Sequence, residues 1–137
     1  MEKSLQINIY GRSGRLASVV FKRNDIPFRI TTVVEPFTII SELYRYKKDL
    51  KEGSTPDAFH TEIIGPRNKR WMLEILHSNG VYSMQVFALQ KGIDDSSHIS
   101  MKFSWKGDKS ELLIALNTFE AKVSLSSSLR SASGRSN

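Results

Sequence analysis

The chain has 137 residues, 39% of them hydrophobic and 25% charged, enough for one domain to bury a core and too apolar for disorder. It has no cysteine, which excludes a disulfide-stapled fold and any thiolate metal site. Its formal net charge of +6 is spread along the chain and favours acidic partners such as phosphates or an anionic leaflet. No apolar run approaches the ~20 residues that span a bilayer. MEKSLQ has no signal-peptide core, and Glu2 cannot take a myristoyl group. A soluble chain with peripheral membrane contact at most is expected.

Leu5, Ile7 and Ile9 alternate with polar neighbours and predict a half-buried strand. GRSGR (11–15) is turn chemistry, and LASVVFKR (16–23) returns as the second arm of a hairpin. Asn24-Asp25 breaks that strand. IPFRITTVVE (26–35) is β-branched and aromatic, hence a third strand ended by Pro36. The period then changes: Ile39, Leu43, Tyr46 and Leu50 fall on one face of a helix over 38–51, with Gly53 where a helix-ending glycine belongs. Its other face carries Arg45, Lys47, Lys48 and Lys51.

Three more strands follow, AFHTEII (58–64), WMLEIL (71–76) and VYSMQVFAL (81–89). GPRNKR joins the first pair and an Asn79-Gly80 hairpin turn the second. HISMKFSW (98–105) predicts a fourth, with Ile99, Met101, Phe103 and Trp105 on one side. Asp108 and Glu111 have capping-box spacing and open a helix whose stripe is Leu112, Leu116, Phe119 and Val123. Residues 124–137 hold seven serines, two arginines and no acid, and read as a flexible, phosphorylatable tail after a domain of residues 1–123. Because strands cluster rather than alternate with helices, the class is α+β: a mostly antiparallel, β-sandwich-like single domain with two helices.

The chain lacks a P-loop and a nucleophile elbow. Its three histidines, His60, His77 and His98, lack metal-ligand spacing, and the Asp94-Asp95 pair reads as a solvated loop. No catalytic residue, metal or cofactor is expected, and the protein reads as a non-enzyme. Basic clusters are the stronger signal: Arg12/Arg15, Lys22/Arg23/Arg29, Arg45/Lys47/Lys48/Lys51, Arg67/Lys69/Arg70 and Lys102/Lys106/Lys109. The site expected to touch membrane or RNA is Arg45, Lys47, Lys48, Lys51, Arg67, Lys69 and Arg70, with Tyr44 as the best candidate for an exposed ring. Phosphates neutralised by such cations release counterions, and aromatic neighbours suit either base stacking or a membrane interface. Lipid and RNA therefore stay open as the first target.

The order of landmarks resembles the small matrix proteins of negative-strand RNA viruses, the bornavirus type in particular. DIPF (25–28) is followed by EP (35–36), a charged segment and DAFHTEIIGP (57–66); two apolar strands around Asn-Gly, ISMKFSW (99–105), a helix containing ALNTFEAKV and a short Ser/Arg/Gly tail complete the series. The resemblance covers most of residues 5–137. It implies a compact matrix domain forming a homo-oligomer, expected as a tetramer, that joins the inner face of an anionic membrane to single-stranded RNA or a ribonucleoprotein. It places the protein beneath the envelope of a virion and, in the host cell, in the cytoplasm, at the inner membrane face or in the nucleus. The segment 58–123 alone, four strands then a helix, also resembles half of a Whirly-type single-stranded nucleic-acid binder, which would use its sheet faces and ignore lipid.

Overall fold

The computed structural model describes residues 5–11, 16–33, 37–91 and 97–119. Strands β1 (Leu5–Gly11), β2 (Leu16–Arg23) and β3 (Ile26–Val33) form one antiparallel sheet in that order. Helix α1 (Phe37–Glu52) follows. Strands β4 (Ala58–Ile64), β5 (Arg70–Ser78), β6 (Val81–Lys91) and β7 (Ser97–Gly107) form a second antiparallel sheet, again in chain order. Helix α2 occupies 109–119. The protein is an α+β domain of two sheets and two helices, as its clustered strand patterns predict.

Local chemistry accounts for the connections. Asn24 and Asp25 link β2 to β3 with positive φ at both (53° and 69°), as Asn79 and Gly80 do between β5 and β6 (52° and 78°); this backbone twist lets two residues join adjacent strands. Gly53, φ 73°, ends α1 in the left-handed conformation that spares a Cβ clash. At the start of α2, Glu111 N–H donates to Asp108 Oδ1 at 2.8 Å and Asp108 N–H to Glu111 Oε1 at 3.2 Å, the reciprocal capping box.

One core joins all these elements. Ile39, Leu43, Tyr46 and Leu50 of α1 and Leu112, Ala115, Leu116 and Phe119 of α2 are buried together with Ile7, Phe21 and Ile30 from the first sheet and Leu73, Ile75, Met84, Val86 and Trp105 from the second. Phe21 meets Phe103 at 5.6 Å between ring centres, and Tyr46 meets Phe59 at 4.9 Å. The sheets are also pinned at β3: Thr32 Oγ1 donates to the Ile64 carbonyl at 2.9 Å. Beside that bond, a Cβ on Gly65 would lie 2.7 Å from the Thr31 carbonyl oxygen and 2.5 Å from the Trp71 ring, so only glycine lets the β4–β5 connection lie this close to β3.

The expected apolar side of the last strand does not hold along its length. Phe103 and Trp105 are buried, whereas Ile99 and Met101 are 67% and 57% exposed. The cause is a β-bulge: Phe103 pairs with Val86 but Met101 pairs with Phe87, leaving Lys102 unmatched on β6. One extra residue reverses the facing of every side chain beyond it. Val123, the Arg12/Arg15 turn, the Asp94-Asp95 loop and the serine-rich tail lie outside the described residues.

Candidate basic interface

The expected contact residues fall into two groups. The first lies on α1, whose apolar stripe fixes which way the helix turns. Lys47 and Lys51 are one turn apart, and Lys48 is adjacent. With Tyr44 they line an open groove of about 250 Å³. Arg45 points away from the core and is exposed, 3.8 Å from the Glu42 carboxylate in a surface ion pair that adds little stability.

Two of these residues differ from their expected roles. Lys47 is 5% exposed, so it belongs to the margin of the buried stripe and not to the solvated face. The helix is broad enough in contact for its apolar stem to pack while the ammonium reaches the groove. Burial holds that ammonium below lysine's ordinary pKa, and the charge of Lys51 depresses it further. Tyr44 is half-buried, with its ring 6.2 Å from that of Phe119, so it is a wall of the groove rather than a freely exposed stacking ring. Tyr46, expected in the stripe, is fully buried; its hydroxyl, beside Thr55, forms no hydrogen bond of acceptable geometry, and burial pushes its pKa up.

The second group lies on the β4–β5 connection, a 3-10 turn at Pro66–Asn68 closed by Gly65 N–H to the Lys69 carbonyl (2.7 Å) and Lys69 N–H to the Pro66 carbonyl (3.3 Å). Arg67 sits at its apex in the left-handed conformation (φ 60°, ψ 33°). Arg67, Lys69 and Arg70 are exposed, and Arg70 pairs with Glu62 at 3.5 Å. Trp71 turns inward and packs against the core, so it is not a free stacking ring for these cations.

The groups attach at opposite ends of β4. Lys51 stands just before the short link from α1 into the start of β4, and Arg67 follows the end of β4. Seven strand residues separate those ends, roughly 24 Å. Among the described residues no cluster of three His, Asp or Glu side chains could hold a metal, and no helix is long and apolar enough to cross a bilayer. What the α1 groove offers is binding: closely held ammonium groups, one desolvated, that gain from an anionic oxygen ligand.

Sequence patterning missed the apolar surface beside the second group, formed by Ile64, Ile99 and Met101. The signal available was the run VFAL in β6, apolar at successive positions and so apolar on both faces of the sheet. Comparison of the chain with protein families, curated proteins and solved structures finds no match.

Proposed function

We propose that this protein is a non-enzymatic, oligomerising adaptor of the viral matrix type, which binds the inner face of an anionic membrane and the ribonucleoprotein during virion assembly. The observation that carries the reading is the α1 groove, where Lys47, Lys48 and Lys51 are gathered although burial and like charge oppose the ammonium of Lys47. A phosphate there restores favourable charge balance, and both lipid headgroups and RNA supply phosphates. One groove of this size engages few phosphates, so firm attachment to a surface requires several copies acting together; self-association, as a tetramer, provides them. The Whirly-type alternative asks for rings on an open sheet face. Among the described residues, the strongly exposed apolar side chains of the four-stranded sheet are aliphatic, which favours the adaptor reading.

The test is flotation on phosphatidylcholine vesicles with and without phosphatidylserine, beside an RNA mobility shift at stepped salt. The adaptor reading expects binding to anionic vesicles and salt-sensitive RNA binding, both weakened by Lys48→Glu/Lys51→Glu. RNA binding without flotation refutes the matrix reading and favours a nucleic-acid binder. Loss of neither activity in the double variant removes the α1 groove from the site.

A further inference from the structure

We propose that one end of the outer face of the four-stranded sheet is the surface that seats on the bilayer, its aliphatic side chains entering the headgroup boundary and its cations contacting anionic lipids. This rests on the membrane part of the proposed function and adds to the α1 groove a second surface that contacts the bilayer. Strand pairing lays out the outer face in rows. Ser78 and Val81 form one end, followed by Ala58, Leu76, Ser83 and Lys106 and then by His60, Glu74, Gln85 and Ser104. Beyond these come Glu62, Met72, Phe87 and Met101, then Ile64, Arg70, Leu89 and Ile99. The middle of the face is thus polar; Leu76 (38% exposed) and Val81 (44%) lie toward one end, and the larger apolar group lies toward the end that carries the β4–β5 connection.

The apolar end is open: Ile99 is 67% exposed, Met101 57% and Ile64 44%. It continues around β7 into a groove of about 280 Å³ against the β2–β3 turn, where Ile26, also 67% exposed, lies with Met101. These four are too exposed to serve the core, and the bulge at Lys102 is what turns two of them outward.

The surroundings select the occupant. Arg67 and Lys69 stand at the end of the face, Arg70 lies within it, and Lys102 and Arg23 flank the β7 edge. The carboxylate among these two rows, Glu62, is paired with Arg70. Aliphatic side chains framed by cations match an anionic bilayer surface, where apolar insertion and headgroup attraction add. A second copy of the same face would bring like charges together. A strand added at the edge is opposed by the bulge and by Arg23 Nη1–H, which donates to the Ser104 carbonyl of β7 at 3.1 Å. Single-stranded RNA needs rings to stack on, and the one ring in these rows, Phe87, is half-buried.

The absence of cysteine makes the test direct, because an introduced thiol is unique. Ile99→Cys and, as control, Ile114→Cys on α2 (62% exposed) carry an environment-sensitive dye and are mixed with phosphatidylcholine/phosphatidylserine vesicles. The dye at 99 shifts to the blue and is quenched by brominated lipid, while the dye at 114 does neither. Ile99→Ser/Met101→Ser keeps the melting temperature within roughly 2 °C, since both sites are exposed, and weakens vesicle binding at least about tenfold. If the wild type floats but the dye at 99 is unmoved and the double variant binds normally, this surface is wrong while the adaptor reading stands. If the wild type does not float, both fall. A lower oligomer size for the double variant in solution, without vesicles, overturns the proposal in favour of a contact between copies, and a dye response to RNA alone overturns it in favour of a nucleic-acid face.

Discussion

Replacing Lys47 separates what its stem does from what its charge does. Lys47→Ala removes three methylenes from a residue that is 5% exposed, a loss of about 2.4 kcal/mol at ~0.8 kcal/mol per buried methylene. Relief of the like-charge contact with Lys51, one turn away, returns about 0.3 kcal/mol. The net is about 2 kcal/mol, or roughly 8 °C in melting temperature for a chain of this length. Lys48→Ala, on the exposed side, stays within about 0.5 kcal/mol of wild type. Lys47→Met keeps the stem and discards the disfavoured charge, so it melts at or above the wild-type temperature while losing anion affinity. The pH dependence has a definite sign. The folded-state pKa lies below the ordinary 10.5, so between the two values the unfolded chain binds more protons and the Lys47 contribution to stability rises with pH. The penalty is fully present below the folded pKa and is gone above 10.5, and anion binding fades as pH climbs through the folded pKa. Urea and thermal unfolding followed by circular dichroism from pH 7 to 10.5, beside vesicle binding, measures each of these. If Lys47→Ala is as mild as Lys48→Ala, the stem is not packed, and if Lys47→Met melts below wild type, the ammonium is stabilising; either result refutes a groove of packed, opposed charges.

Gly65→Ala places a Cβ against the Trp71 ring and the Thr31 carbonyl, so it costs about 2 kcal/mol through forced separation of β3 from the β4–β5 connection; a urea midpoint equal to wild type contradicts the contact. Asp25→Gly stabilises by about 0.5–1 kcal/mol, because Asp25 holds φ 69° in a two-residue turn that favours glycine, and a lower melting temperature shows that its carboxylate contributes something the turn needs. The two basic groups are expected to act independently at physiological salt, because they flank β4, whose length of roughly 24 Å exceeds a Debye length of about 8 Å. Effects of Lys48→Glu/Lys51→Glu and Arg67→Glu/Lys69→Glu on vesicle binding therefore add within about 0.5 kcal/mol, and coupling above about 1 kcal/mol places both groups on one ligand.

Elements whose chemistry is local were legible from residues alone. The limits of β2 and β4, the Asn79-Gly80 turn, Gly53 ending α1 and the Asp108/Glu111 capping box depend on neighbours a few positions away, and sequence displays those directly. The helix stripes were legible too, since every residue of Ile39, Leu43, Tyr46 and Leu50 is buried. The β7 pattern failed because ISMKFSW alternates without interruption, and a bulge is a relation between two strands that neither sequence carries alone. Lys47 failed for another reason: at the boundary of a helical stripe, residue type predicts solvent, but α1 packs deeply enough to cover the stem. Of the candidate site, the grouping of the helix lysines was visible from spacing. The aliphatic surface beside Arg67 and Lys69 was hidden, because its members look like core residues until pairing fixes their direction.

These departures bear on function because they are costly to folding. Turning Ile99 and Met101 toward water forgoes burial that the same residues would gain without the bulge. Holding Lys47 near Lys51 under partial desolvation opposes a charge that an exposed position would leave in water. Neither arrangement improves the core, which Phe103, Trp105 and the α1 stripe already fill. A sequence otherwise consistent with its fold tends to break local rules at functional sites. A bilayer boundary covers aliphatic side chains and a phosphate neutralises crowded ammonium groups. The two departures, at separate places on the fold, therefore point to ligands of matching chemistry: an apolar surface with anionic headgroups at the end of the sheet, and phosphate oxygens in the α1 groove.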